Sequence, residues 1–285
     1  MNMVELAQVI KATRDLPSLP SVVLELISTL ERSDVDIATL ANKISRDQAL
    51  TAKTLRLANS SFYGMASKVK TVNQAITVLG FDSTRTLVTA GGIIDCFSAG
   101  QGDHIDVAGF WRHSIAVALC AKSLARHCGA NQDYAFIAGL LHDIGRLVLA
   151  TRFPEQYAQA AAYSRAHDTS IREAELHVLG IDHQRAGLLL ADLWRFPPLI
   201  QRAIGQHHAP SPGDQGDLPG VIHVADAMVH ALDLGGGEET AVAGLIDPVW
   251  ERLGLNPALL QAVFAETENQ FEEACNVLTR EIGHA

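Results

Sequence analysis

Apolar side chains recur at i, i+3, i+4 and i+7 along nearly the whole chain, and two-residue alternation is absent over any useful length. The pattern predicts an all-α fold. Leu6, Val9 and Ile10 open the first amphipathic segment, which stops at Leu16-Pro17-Ser18-Leu19-Pro20. Helices are then predicted over Ser21–Arg32, over Ile37–Ser45 behind Asp36, and over Gln48–Ala58 behind Asp47. An Asp just before a helix accepts from the free N–H groups of its first turn. Asn73–Leu79 ends at Gly80, and Ser83–Phe97 carries a Gly91-Gly92 interruption. Longer patterns follow at Gly109–His127, Asp133–Thr151 and Pro154–His167, then at Ser170–Leu179, His183–Trp194, Pro198–His207, Leu218–Leu234 and Pro257–Arg280.

Three stretches punctuate this series: Ser98–Asp103, Pro210–Gly220 and Gly235-Gly236-Gly237. They divide the chain into an N-terminal helical region (1–98), a second helical domain (104–234) and a C-terminal helical extension (235–285). No repeat of 20–50 residues and no low-complexity tract interrupts it.

Of 285 residues, 48% are apolar and 19% charged, enough to build a core. The net charge of -10 is unevenly spread: residues 1–100 hold 10 Lys/Arg against 9 Asp/Glu, and residues 101–285 hold 12 against 23. The second part is a poor surface for a phosphate polymer unless a bound cation intervenes. Uninterrupted apolar runs such as Ile115–Ala121 fall well short of a membrane span, and Met1–Arg14 lacks the basic start and apolar centre of a signal peptide. The expectation is a cytoplasmic protein with no membrane partner. Cys96, Cys120, Cys128 and Cys275 show no C-x-x-C spacing, so they predict packing rather than disulfide or zinc chemistry.

The chemistry lies in the histidines. His142-Asp143 interrupts an apolar helical pattern, and burying that pair costs several kcal/mol unless both are hydrogen-bonded or hold a metal. His113 stands on the preceding helix, His183 opens another, His207-His208 close one, and Asp226 lies mid-helix four residues before His230. Each has an ordinary explanation alone, such as interface packing, a cationic helix end or an i, i+4 pair. Five such coincidences on successive helices point to one shared site. Imidazole and carboxylate donors without thiolate suit a divalent ion, iron or manganese first, with nickel and zinc as alternatives.

The order H…HD…H-x-x-x-G…HH…D resembles that of the HD superfamily of metal-dependent phosphohydrolases, and its binuclear HD-GYP branch. Residues 16–213 resemble the HDOD family, a relative that joins an N-terminal helical region to an HD-like domain. The residues that carry the likeness are Leu16–Pro20, Leu55–Gly64, Asn73–Gly80, Gly139–Arg146 and Gly205–His208. The resemblance implies that His113, His142, Asp143 and Asp226 hold one ion, that His183, His207 and His208 hold a second, and that Asp143 bridges them. Asp143 and Arg146 would be the catalytic residues if the site turns over a substrate.

Departures from the pattern bear on activity. Gly109 stands where the binuclear branch has a glutamate, Arg146 where it has a lysine, and Ala209-Pro210 where it continues with Gly-Tyr-Pro. The resemblance therefore implies first a bacterial signal-transduction protein that acts on a protein partner and retains an HD-type metal site. The alternative is a phosphohydrolase with a nucleotide or other phosphoester ligand. A lesser alternative rests on residues 37–57, which look like a helix-turn-helix. Lys43, Arg46, Lys53, Arg56, Lys68 and Lys70 make that neighbourhood basic, but the second helix offers few polar side chains to read bases, so nucleic acid is not the expected partner. His223 is a candidate to support a metal ligand; His104, His127, His167, His177 and His284 are expected at the surface.

Overall fold

The structure, a computed structural model, describes residues 6–16, 18–29, 36–59, 68–97, 105–211, 217–234 and 247–279. The boundary at Ser98–Asp103, the Gly235-Gly236-Gly237 stretch, residues 60–64 of the Leu55–Gly64 motif, His104 and His284 lie outside them. The described residues contain helices and no strand.

Six helices come from the N-terminal region: α1 (Leu6–Arg14), α2 (Ser21–Ser28), α3 (Ile37–Ser45), α4 (Gln48–Ala58), α5 (Val72–Leu79) and α6 (Phe81–Cys96). Asp36 accepts from the Thr39 N–H and Asp47 from that of Leu50, the two caps the sequence predicts. Each cap is worth about 1 kcal/mol. Gly91-Gly92 does not interrupt α6, because the two glycines let neighbouring helices approach. A Cβ at Gly91 would lie 2.3 Å from Lys53 Cδ, and one at Gly92 2.4 Å from Val23 Cγ2.

The basic rim expected around residues 43–70 is thinner than the sequence suggests. Lys53 is only 2% exposed; its ammonium donates to the Gly91 carbonyl at 3.0 Å and to Asp95 at 2.6 Å. Lys43 pairs with Glu25. Lys53 thus joins α4 to α6 instead of facing a nucleic acid.

The remaining helices are α7 (Val107–Cys128), α8 (Gln132–Leu141), α9 (Ile144–Arg152), α10 (Pro154–His167), α11 (Ile171–Val178), α12 (His183–Leu193), α13 (Pro198–Gln206), α14 (Leu218–Ala231), α15 (Asp247–Arg252) and α16 (Pro257–Thr279). The six-residue α15 has no counterpart in the sequence reading. Helix α7 is central: it packs against α8, α14 and α16, while α9 packs on α12, and α13 on both α12 and α14. Buried side chains from both parts of the chain, Val23 and Leu40 as well as Trp111 and Ile137, belong to one contiguous apolar cluster.

The single helix expected over Asp133–Thr151 is two, α8 and α9, broken at His142-Asp143. Residues 132–152 are apolar enough over 18 residues to match a membrane span, more so than the short runs of the sequence suggest, but 89% of that window is buried in the fold. The break is fixed by close backbone approach. A Cβ on Gly145 would lie 1.9 Å from the His183 carbonyl oxygen and 2.6 Å from the Gly187 nitrogen, so α9 meets the start of α12 at a contact only glycine permits.

Candidate metal centre

Helix ends deliver most of the cluster. His113 sits in the second turn of α7, His142-Asp143 in the α8–α9 break, His183 at the first position of α12, and His207-His208 at the end of α13. Asp226 and His230 lie one turn apart on α14. Buried neighbours then fix the rings. The His142 Nδ1–H donates to the Gly139 carbonyl at 2.7 Å, and the His207 Nδ1–H to that of Ile204 at 2.9 Å. The His183 Nδ1–H donates to Glu175 Oε2 at 2.7 Å, and the same oxygen accepts the His183 backbone N–H at 2.8 Å. A carbonyl or carboxylate can only accept, so in each case Nδ1 carries a proton and Nε2 is the nitrogen that points inward. Metal-binding imidazoles are oriented in this way.

The inward atoms converge on two carboxylates. Asp143 Oδ1 lies 3.3 Å from His183 Nε2 and 3.5 Å from His207 Nε2; Oδ2 lies 3.7 Å from His142 Nε2. Asp226 Oδ1 lies 3.1 Å from His113 Nε2 and 3.5 Å from His142 Nε2. His208 Nε2 stands 2.9 Å from His183 Nε2. All seven sequence-predicted ligands therefore meet in one place, and ligand atoms of Asp143, His183, His207 and His208 all lie within 4.8 Å of one another. Arg146 reaches Asp143 Oδ2 at 3.1 Å and the Tyr157 hydroxyl at 3.1 Å.

A divalent ion fits this donor set. The buried Nε2 atoms of His113, His142 and His207, with Asp226 Oδ1, have no hydrogen-bond partner. Leaving four such atoms unsatisfied costs about 1–3 kcal/mol each. The spacing is also that of ligands around an ion: two atoms about 2.1 Å from one metal are about 3.4 Å apart at the tetrahedral angle and about 3.0 Å at a right angle.

The electrostatics are those of a site built for positive charge. Burial opposes the charged form of His142, but Asp143 and Asp226 outweigh it and raise its pKa to about 9. Burial is likewise overcome at His183 by Glu175 and Asp143, which raise it to about 9. Burial would push Asp143 up, yet His142 and His183 hold it well below the usual carboxylate range. At Asp226 the same penalty is overcome by His113 and His142. His208, half-buried and next to His207 and His183, is pushed down to about 2 by burial and by those two rings, and stays neutral.

Sequence reasoning missed two contributors and undervalued a third. Glu175 is fully buried, and a turn separates it from His183, so no helical spacing links the two. Tyr157 stands on α10, away from any motif. His230 was legible only as an i, i+4 partner of Asp226, yet its Nε2 lies 3.4 Å from the oxygen that faces His113 and His142. His223 is buried and donates from Nδ1 to the His207 carbonyl at 2.8 Å, bracing the loop that carries a candidate ligand. His127, His167 and His177 are exposed, but the last two stack on the Tyr163 ring with centroids 4.0 and 4.3 Å away, a partnership the sequence did not suggest.

The HDOD domain family matches residues 16–210, from just after α1 to the segment just beyond His207-His208. The chain belongs to the HDOD family. A crystal structure of an HDOD domain protein of unknown function from Geobacter sulfurreducens superimposes with a TM-score of 0.81 at 25% identity, over 99% of this chain and 100% of that one. A protein from Shewanella amazonensis SB2B, provisionally described as a phosphohydrolase, gives 0.77 at 26% identity over 96% and 98%. An uncharacterized protein of Treponema pallidum (strain Nichols) is 26% identical over 226 residues, 77% of this HDOD chain. The chain spans only 43% of that curated relative's length.

Proposed function

We propose that this HDOD protein is a bacterial signalling component whose HD-type cluster binds divalent metal and which acts on a protein partner through its helical surfaces. The observation that carries the metal reading is the position of Asp143: Oδ1 faces His183 and His207 while Oδ2 faces His142, with Arg146 beside it, so the carboxylate lies between two groups of imidazoles. His113, His142, Asp143 and Asp226 would hold one ion, and Asp143, His183, His207 and His208 the other. Bound there, iron or manganese would supply Lewis acidity and an activated water.

Two features favour regulation over turnover. Arg146, the group best placed to hold a phosphate, is engaged by Asp143 and Tyr157. Leu176, Leu193 and Leu199 are exposed on α11, at the end of α12 and on α13, the segment that carries His183 and His207-His208. A change in metal occupancy would act on helices that also carry apolar side chains a partner can cover. The second reading, a phosphohydrolase acting on a nucleotide or other phosphoester, draws support from the two-lobed donor set and from the Shewanella structure's description.

Elemental analysis of protein purified without chelators is expected to find about two equivalents of iron or manganese. Metal loading is expected to slow amide exchange in α12 and α13 without phosphoester turnover. Absence of metal after loading overturns the metal reading. Turnover of a phosphoester that disappears in His142→Ala protein replaces the regulatory reading with the hydrolase.

A further inference from the structure

His230 belongs to no part of the ligand pattern considered so far, yet it closes the outer side of the cluster. Three imidazole nitrogens surround one carboxylate oxygen: Nε2 of His113, His142 and His230 lie 3.1, 3.5 and 3.4 Å from Asp226 Oδ1. That oxygen has two lone pairs, too few for three good hydrogen bonds, and it forms none with acceptable geometry. His113 Nε2 is similarly unsatisfied. The His113 and His230 rings lie side by side, with centroids 4.7 Å apart and planes 39° apart. Donor atoms of His113, Asp226 and His230 all lie within 4.8 Å of one another.

Hydrogen bonding explains this arrangement poorly, whereas a shared cation explains it directly. Separations of 3.1 and 3.4 Å from one oxygen are those expected between ligands about 2.1 Å from a common ion. The His113 and His230 side chains are 12% and 16% exposed, whereas His142 is fully enclosed, so this side of the cluster lies nearer the solvent than His142 does.

We infer that His230 is a metal ligand, and that it joins His113 and Asp226 in holding the outer of the cluster's two ions, a divalent first-row transition ion. The inference rests on the reading that the cluster binds metal. Its helical basis is simple: Asp226 and His230 are four residues apart on α14, so both reach the same side of the helix toward His113 on α7.

The test uses cobalt(II) as the probe on the full chain stripped of metal. Binding is followed by titration and by the visible absorption of the bound ion, in wild type, His230→Ala, His230→Gln and His183→Ala proteins. Circular dichroism and thermal melting of the metal-free proteins check folding, and the Gln variant keeps the test open if Ala disturbs α14. The expected result is a loss of at least about tenfold in affinity for one class of sites in both His230 variants, since loss even of a group supporting a ligand costs that much. The cobalt spectrum changes with it, and the His183→Ala protein keeps the component that His230→Ala loses. If wild type binds cobalt and both His230 variants give the same isotherm and spectrum, His230 is a structural partner of Asp226 and this inference fails alone. If wild type binds no cobalt, both the inference and the metal reading fail.

Discussion

Gly145 stands two residues after Asp143 and directly under the start of α12. The absence of a side chain there lets the Asp143 carboxylate come within 3.3 Å of His183 Nε2. A methyl group would meet backbone atoms on α12, which cannot swing aside as a long side chain can. Gly145→Ala is therefore expected to destabilise the protein by about 3 kcal/mol, measured by urea unfolding, and to weaken metal uptake. Unchanged stability would mean that α9 and α12 can separate freely. At this scale the convergence of these His and Asp side chains was legible because such residues in apolar helices are costly to bury without a partner. Glu175 was not, because its role depends on a turn that brings α11 back to α12. Lys53 reads as a surface cation by composition, and only its neighbours on α6 show it to be internal.

Helices were legible where caps and apolar spacing agreed, as at Asp36, Asp47 and Pro257. The break between α8 and α9 was not, because residues 132–152 keep an apolar pattern across it and only the packing of α12 forces the chain to turn. Helix α16 shows the opposite case, since its buried residues Val263, Thr267, Phe271, Cys275 and Leu278 form one ridge at helical spacing. That ridge packs on α7, and Glu266 fastens it by accepting from Arg126 at 2.6 Å and from Ser123 at 2.6 Å. Burial alone would raise the Glu266 pKa, but Arg126 and Ser123 hold it below its ordinary 4.5. A carboxylate with a lowered folded-state pKa stabilises the fold above its unfolded value and loses that contribution as pH falls through the folded one. Glu266→Gln is expected to lower stability by about 1 kcal/mol or less at pH 7, with the difference closing below about pH 4. Thermal melts of both proteins across that range check the sign, and a gap that widens on acidification would contradict it.

Across the whole molecule, one apolar cluster spans both parts of the chain, so the candidate metal cluster is anchored in the same core that holds α2 and α3. Ions bound only by the folded state stabilise all of it. At a free metal concentration one hundred times the dissociation constant, the gain is about 2.7 kcal/mol, which a melt with and without chelator would register as a rise of several degrees. A melting temperature indifferent to chelator would separate the cluster from global stability. The fold class was legible at this scale because it rests on residue types and spacing. The continuity of the core across the Ser98–Asp103 stretch was not, since apolar spacing does not say which helices share an interior.

The donors are strung from His113 to His230, and α14 is the last helix to contribute one. During synthesis, a ribosome must release the chain well past residue 230 before the donors on α14 can join those on α7 and in the α8–α9 break. The group of Asp143, His183, His207 and His208 is complete about twenty residues earlier. If the cluster binds metal, its two halves are therefore finished in sequence, and the half that contains Asp226 could be filled only once α14 has docked.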